Sequence, residues 1–118
     1  MFNVCERPDI FGNDFSKVPI CLRHSEWPVY FLLSQRGEAL EVHIAADGRE
    51  GKKAMRTVGA EFLKYIDIAY PWCKMLIAPV TVKSVYNFCI KMGFNDLGVG
   101  NFGDTKANVM VVNYERCN

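Results

Sequence analysis

The run Leu40-Glu41-Val42-His43-Ile44-Ala45-Ala46-Asp47-Gly48-Arg49-Glu50-Gly51-Lys52-Lys53-Ala54 changes character halfway along. Its first part, over Leu40 to Ala45, reads as a strand. From Asp47 to Ala54 it becomes a Gly-containing basic turn, and from Gly51 the hydrophobic period changes. Met55, Val58, Phe62, Tyr65, Ile66 and Ala69 recur at three- and four-residue steps, with Lys52, Lys53, Arg56, Glu61, Lys64 and Asp67 on the opposite side. This is the pattern of an amphipathic helix, stopped by Pro71. Gly59 inside it costs about 1 kcal/mol relative to alanine, which a close backbone approach would explain. Cys73 to Ala78 is a near-continuous apolar run, as expected of a strand covered on both faces. Strand, helix and strand form a β-α-β unit, predicted to be parallel with a right-handed crossover. Amide groups at the start of the helix lack intrahelical partners, so the turn is an anion site, and a phosphate-bearing ligand is the first expectation.

Outward from this unit, Thr81 is the expected N-cap of a second helix with an inner face of Val82, Val85, Phe88 and Met92. Gly93 closes it, with Phe94 folding back on the last turn. Two strands follow over Asp96 to Gly100 and Asn108 to Tyr114, joined by a polar loop containing Gly103 and Asp104. Val109 and Val111 alternate with Met110 and Val112, which predicts a last strand covered on both faces. Toward the N-terminus, Val29 to Leu33 reads as a strand, turned by Gln35 to Glu38 into a strand over Ala39 to Ala45. Val18 to Leu22 is a shorter candidate. Residues 1–17 are expected to be an irregular arm with at most one helical turn. The string β, β, β, α, β, α, β, β predicts a single α/β domain over residues 1–118, a mixed sheet with helices on its faces.

Composition bounds the function classes. A chain of 118 residues, half of them hydrophobic, suffices for one core. A net charge of +1 argues against a disordered or generally nucleic-acid-coating protein, and makes nucleic-acid binding through the Lys52–Arg56 patch a weak reading. No apolar run approaches the roughly 20 residues needed to span a bilayer. The N-terminal residues lack the pattern of a signal peptide, so a cytoplasmic location is expected. The five cysteines, Cys5, Cys21, Cys73, Cys89 and Cys117, are widely spaced, with no Cys-x-x-Cys and only His24 and His43 to join them. Neither a metal site nor a disulfide framework follows; reduced thiols packed as small hydrophobes are expected.

Two motifs carry a resemblance. The segment Val82-Lys83-Ser84-Val85-Tyr86-Asn87-Phe88-Cys89-Ile90-Lys91-Met92-Gly93-Phe94 resembles the Asn-x-x-Ala-x-x-Phe-Tyr-x-Lys-x-Gly-Phe signature of the GNAT family of acyl-CoA-dependent N-acetyltransferases. Glu41-Val42-His43-Ile44 running into Glu50-Gly51-Lys52-Lys53-Ala54 is similar to a turn in small bacteriophage-encoded members. The resemblance covers about residues 28 to 114. It implies a compact GNAT-like fold, with the N-terminal helical region reduced for lack of room in residues 1–27. It further implies transfer of an acetyl group from acetyl-CoA to an amine on a protein or small molecule. A phage origin would add a phage or host protein as partner, location in the host cytoplasm, and association with the virion. In several places the chain departs from the signature. Glu50 replaces the usual arginine, with Arg49 adjacent; Lys53 or Ala54 takes a later Gly/Ala position; Val82 replaces a cofactor-contacting asparagine; and Cys89 replaces a tyrosine acid. These departures keep open an alternative in which the fold serves assembly or binding without turnover.

By that resemblance, the amides of Arg49, Glu50, Gly51, Lys52, Lys53 and Ala54 cradle a pyrophosphate, aided by the helix dipole. Ile44, Ala45 and Ala46, opposite Ile77 to Pro79, receive the pantetheine arm. An ordinary solvated basic turn is the plainer alternative. Amine acetylation also needs a base and an acid. Glu41 and His43 alternate onto one strand face and are candidate bases, or else simple cross-strand partners. Tyr86 and Cys89 are the candidate acids. His24 and Trp27 are positioned to line an acceptor groove.

Overall fold

The computed structural model describes residues 1–6 and 20–114, and the expectations for residues 7–19 lie outside them. Seven strands form one sheet: β1 (Phe2–Val4), β2 (Ile20–His24), β3 (Val29–Arg36), β4 (Ala39–Ala46), β5 (Met75–Val80), β6 (Asn95–Phe102) and β7 (Thr105–Asn113). The two helices are α1 (Gly48–Ala69) and α2 (Lys83–Lys91). The spatial order is β1-β2-β3-β4-β5-β7-β6. Every neighbouring pair is antiparallel except β4 and β5, which are parallel as the β-α-β reading requires.

The arm expected to be irregular thus opens with a strand. Three residues carry too little alternation to announce one. Phe2 holds it in place, its ring meeting those of His24, Phe31, Phe62 and Tyr65.

Among the described residues, both helices lie on one face of the sheet. Val29, Phe31, Leu33, Leu40, Val42, Leu76 and Ala78 point to that face and form one core with Val58, Phe62 and Ile66 of α1 and Phe88 and Cys89 of α2. Phe31 and Phe62 stack with ring centroids 3.9 Å apart. The helices meet at Gly59, where an added Cβ would come within 2.6 Å of Phe88 Cζ. The close approach anticipated at this glycine is present, and it is helix against helix.

Pro71 follows the end of α1, and Cys73 is buried in the turn before β5 begins at Met75. β5 is not sealed on both faces: Leu76, Ala78 and Val80 are buried, while Met75, Ile77 and Pro79 are half-buried. β7 does bury both faces, with Met110 and Val111 almost fully covered. α2 ends as expected, the Phe94 amide donating back to the Cys89 carbonyl at 2.9 Å.

Candidate active-site cleft

The parallel pairing of β4 and β5 is short. Ala39, Leu40 and Glu41 face Met75, Leu76 and Ile77, and there the register ends. β4 continues to Ala46 along β3, and β5 continues to Val80 along β7. Each strand is retained by its outer neighbour, so the two diverge. The end of β4 is drawn toward β3 by the Asp47 amide, which donates to the Pro28 carbonyl at 2.8 Å. Gly51 lies against that same oxygen. On the other side, Pro79 pairs with Val109 and brings no amide to the gap. The opening is lined by Val42, His43, Ile44 and Ala45 and by Ala78, Pro79, Val80, Thr81, Val82 and Val85.

On the helix face the opening widens into a cavity of about 710 Å³. Its walls combine apolar Ile44, Ala45, Ala46, Met55, Val85 and Phe88 with the cationic side chains of Lys52, Arg56 and Lys91. α1 begins at Gly48, after an Asp47 N-cap whose side chain makes no capping bond. The helix register leaves the amides of Gly48, Arg49 and Glu50 ahead of the first intrahelical bond, with the Asp47 amide held by Pro28. From Gly51 onward the amides belong to the helix. Of the expected cradle, Arg49 and Glu50 therefore retain outward amides and Gly48 joins them, whereas those of Gly51, Lys52, Lys53 and Ala54 are committed. Gly51 and Ala54 are buried, Lys52 contributes its side chain, and Lys53 is exposed outside the lining. The exposed Glu50 puts a carboxylate in the first turn.

On the opposite face a second cavity, of about 680 Å³, is lined by Glu41, His43, Pro79, Thr81, Phe102, Asp104, Thr105 and Ala107. Glu41 Oε2 and His43 Nε2 are 2.8 Å apart, and Arg36 Nε lies 3.5 Å from the other Glu41 oxygen. Their alternation on β4 brings both to this face, each with under a fifth of its side chain exposed. His43, Pro79 and Thr81 border both this cavity and the gap between the strands.

Neither candidate acid is among the residues that line the gap. Cys89 has no exposed surface and packs in the helix-side core, where burial pushes its thiol up to about 11. Motif alignment matched it to an acid position, but the phase of α2 turns it inward beside Phe88. The Tyr86 hydroxyl donates to Asp96 Oδ2 at 2.8 Å, and this bond raises its pKa above the ordinary phenol value. Tyr86 borders an adjoining depression with Lys83 and Asn108, which shares Val80, Thr81 and Val82 with the gap.

His24 is likewise not in a groove. It is buried, its Nδ1 accepts the amides of Glu26 and Trp27, and its Nε2 donates to Glu61 of α1. It braces the turn leading to Pro28, while Trp27 is partly exposed. Thr81, read as the N-cap of α2, is displaced from that role by Val82, which leaves its side chain on the cleft. Asp104, seen in sequence as a loop residue, lines the second cavity because the tip of the β6–β7 hairpin extends past the Val80–Asn108 pair that ends the β5–β7 ladder. Among the described residues, no group of three or more His, Cys, Asp or Glu could hold a metal, and no helix is long and apolar enough to cross a membrane.

No family model and no curated protein sequence matches the chain. Solved structures do share its fold. A Bacillus subtilis acetyltransferase in complex with CoA superposes with a TM-score of 0.69 at 10% identity, over 97% of this chain and 98% of that one. A chimeric spermidine N-acetyltransferase of Vibrio cholerae SpeG and hSSAT gives 0.65 at 14% identity, over 96% of each chain. The aminoglycoside acetyltransferase AAC(6')-Ib with coenzyme A gives 0.66 at 12% identity, over 84% of this chain and 69% of that one. The chain therefore has the mixed α/β fold of GNAT acetyltransferases, as the resemblance predicts.

Proposed function

We propose that this protein is an acetyl-CoA-dependent N-acetyltransferase acting on an amine of a small molecule or protein. One observation carries the reading. A cation-lined cavity on the helix face leads between β4 and β5 to His43, and an acid-lined cavity on the other face reaches the same residue. The helix-face cavity suits the cofactor chemically. Lys52, Arg56 and Lys91 of its wall match a diphosphate, and the first-turn amides of Gly48, Arg49 and Glu50, which precede Lys52 on α1 outside the lining, add donors. Ile44, Met55, Val82, Val85 and Phe88 match a long uncharged arm, and the β4 edge beyond Glu41 can take that arm as an extended strand.

When bound, acetyl-CoA supplies a thioester carbonyl that an uncharged amine attacks, with the sulfur departing. The protein must first take a proton from the ammonium form of the acceptor. His43 is the candidate to accept it, since an imidazole nitrogen can take up a proton, and Glu41, 2.8 Å away, offsets the charge its ring gains. Carboxylates of Glu41 and Asp104 favour a cation in the second cavity. The Thr81 side chain, at the junction of the two cavities, would be the hydrogen-bond donor available to the sulfur of a bound cofactor.

A thiol-release assay across polyamines, aminoglycosides and lysine- or N-terminal peptides tests this. CoA release with at least one acceptor, lost on His43→Ala with the fold intact, supports the enzyme. Cofactor binding without release across the panel favours a second reading, a GNAT-fold binding protein without turnover. The inward Cys89 and the Asp96-bound Tyr86 are the observations on its side. A phage assembly role belongs to this second reading, whereas a phage or host protein partner and a location in the host cytoplasm or virion fit either reading, with the phage link resting on the Glu41–Ala54 resemblance.

A further inference from the structure

We propose that Cys5 and Cys21 form a dithiol site that is oxidised reversibly to an intramolecular disulfide. Val4 of β1 faces Leu22 of β2, so the next rung sets Cys5 opposite Cys21, and the Cys5 amide donates to the Cys21 carbonyl at 2.9 Å. Residues directly opposite on antiparallel strands project to the same side. Their sulfurs lie 3.3 Å apart, although the residues are sixteen positions apart in sequence. Opposed residues at a hydrogen-bonded rung have Cα atoms about 5.5 Å apart, inside the span a disulfide bridges. Closing the bond requires the sulfurs to approach by about 1.3 Å. This site was invisible in sequence because β1 itself was.

The two thiols differ in access, which assigns their order of reaction. Cys5 is half-buried, whereas Cys21 is 6% exposed. The Cys5 thiolate attacks one sulfur of a low-molecular-weight disulfide such as oxidised glutathione, and that S–S bond breaks to release one thiolate. The Cys21 thiolate then attacks the Cys5 sulfur and displaces the second. The protein gives up two electrons, the small disulfide accepts them, and the two thiol protons pass to the released thiolates. The new bond ties the edge strand β1 to β2 and fixes Phe2 in its aromatic cluster. Cys73 and Cys89, both fully buried on the helix side, are excluded from this exchange.

The test equilibrates the full chain in glutathione buffers of increasing oxidised fraction, followed by acid quench, alkylation and peptide mass mapping. The expected result is concerted loss of alkylation at Cys5 and Cys21, one peptide cross-linking them, and full reversal by dithiothreitol. Cys21→Ser should instead retain glutathione on Cys5. The oxidised wild type should melt on the order of 10 °C higher than the reduced form, a gain that Cys5→Ser abolishes. A stable glutathione adduct on wild-type Cys5 without ring closure, or continued alkylation of both thiols in oxidised glutathione, would overturn the proposal.

Discussion

A Cβ on residue 51 would stand 2.8 Å from the carbonyl oxygen of Pro28, so the absence of a side chain at Gly51 is what lets α1 start where it does. That oxygen also receives the Asp47 amide, so one backbone atom anchors the helix entrance twice. Gly51→Ala should gain about 1 kcal/mol of helix propensity. It should lose more, since overpacking typically costs about 1–3 kcal/mol and the obstructing atom is backbone. The net expectation is a lower urea midpoint, by about 1 kcal/mol or more in unfolding free energy. A midpoint unchanged or raised would contradict the packing role.

Gly59 and Phe88 make the corresponding contact between the helices. Gly59→Ala should destabilise by roughly 1 kcal/mol in the wild type, and far less when Phe88→Leu has removed the ring tip that an added Cβ would meet at 2.6 Å. A double-mutant cycle should return coupling of at least about 0.5 kcal/mol. Additive effects would mean the helices separate freely there.

The cationic wall of the helix-face cavity can be changed without touching the core, because Lys52 and Arg56 are exposed. Replacing both with glutamate should weaken acetyl-CoA binding by roughly ten- to a hundredfold with the melting temperature unchanged. The wild-type affinity should fall with rising salt. Equal affinity for wild type and variant would remove the phosphate from this wall.

On the other side of the sheet, His43→Ala and Glu41→Gln should each lower the acetylation rate by about a hundredfold or more while leaving the Kd for acetyl-CoA intact. Loss of binding together with rate would make the pair structural.

Alkaline stability reports on Cys89. Its thiol is raised by burial from about 9 to about 11, so the folded state resists an ionisation that the unfolded chain undergoes. The associated stability is complete below pH 9 and is lost as pH climbs toward 11, by roughly 2–3 kcal/mol. Cys89→Ala should flatten this part of the pH profile. A slope unchanged by the substitution would assign it to other groups.

The β4–α1–β5 unit was legible because the hydrophobic period switches from strand to helix between Ala45 and Gly51, and Gly59 betrayed a close approach. β1 was not legible, since three residues show no period and Phe2 finds its partners only in the folded chain. The cleft between Ile44–Ala46 and Ile77–Pro79 was legible only through the family resemblance, not from the residues themselves. It arises because β3 and β7 retain the ends of β4 and β5, and local residues do not encode that competition. The alternation of Glu41 and His43 on one strand correctly put both on the same face of the sheet. Motif matching made Cys89 a candidate acid by aligned position, whereas its expected packing as a small hydrophobe is what the phase of α2 produces. Thr81 and Asp104 escaped notice as ordinary cap and loop residues until the topology brought them to the junction.

Calorimetric titration of the folded wild-type chain with acetyl-CoA tests the central claim most directly. The account predicts micromolar, one-to-one binding that the Lys52→Glu, Arg56→Glu variant loses. No heat of binding at millimolar acetyl-CoA from a protein shown to be folded would contradict it.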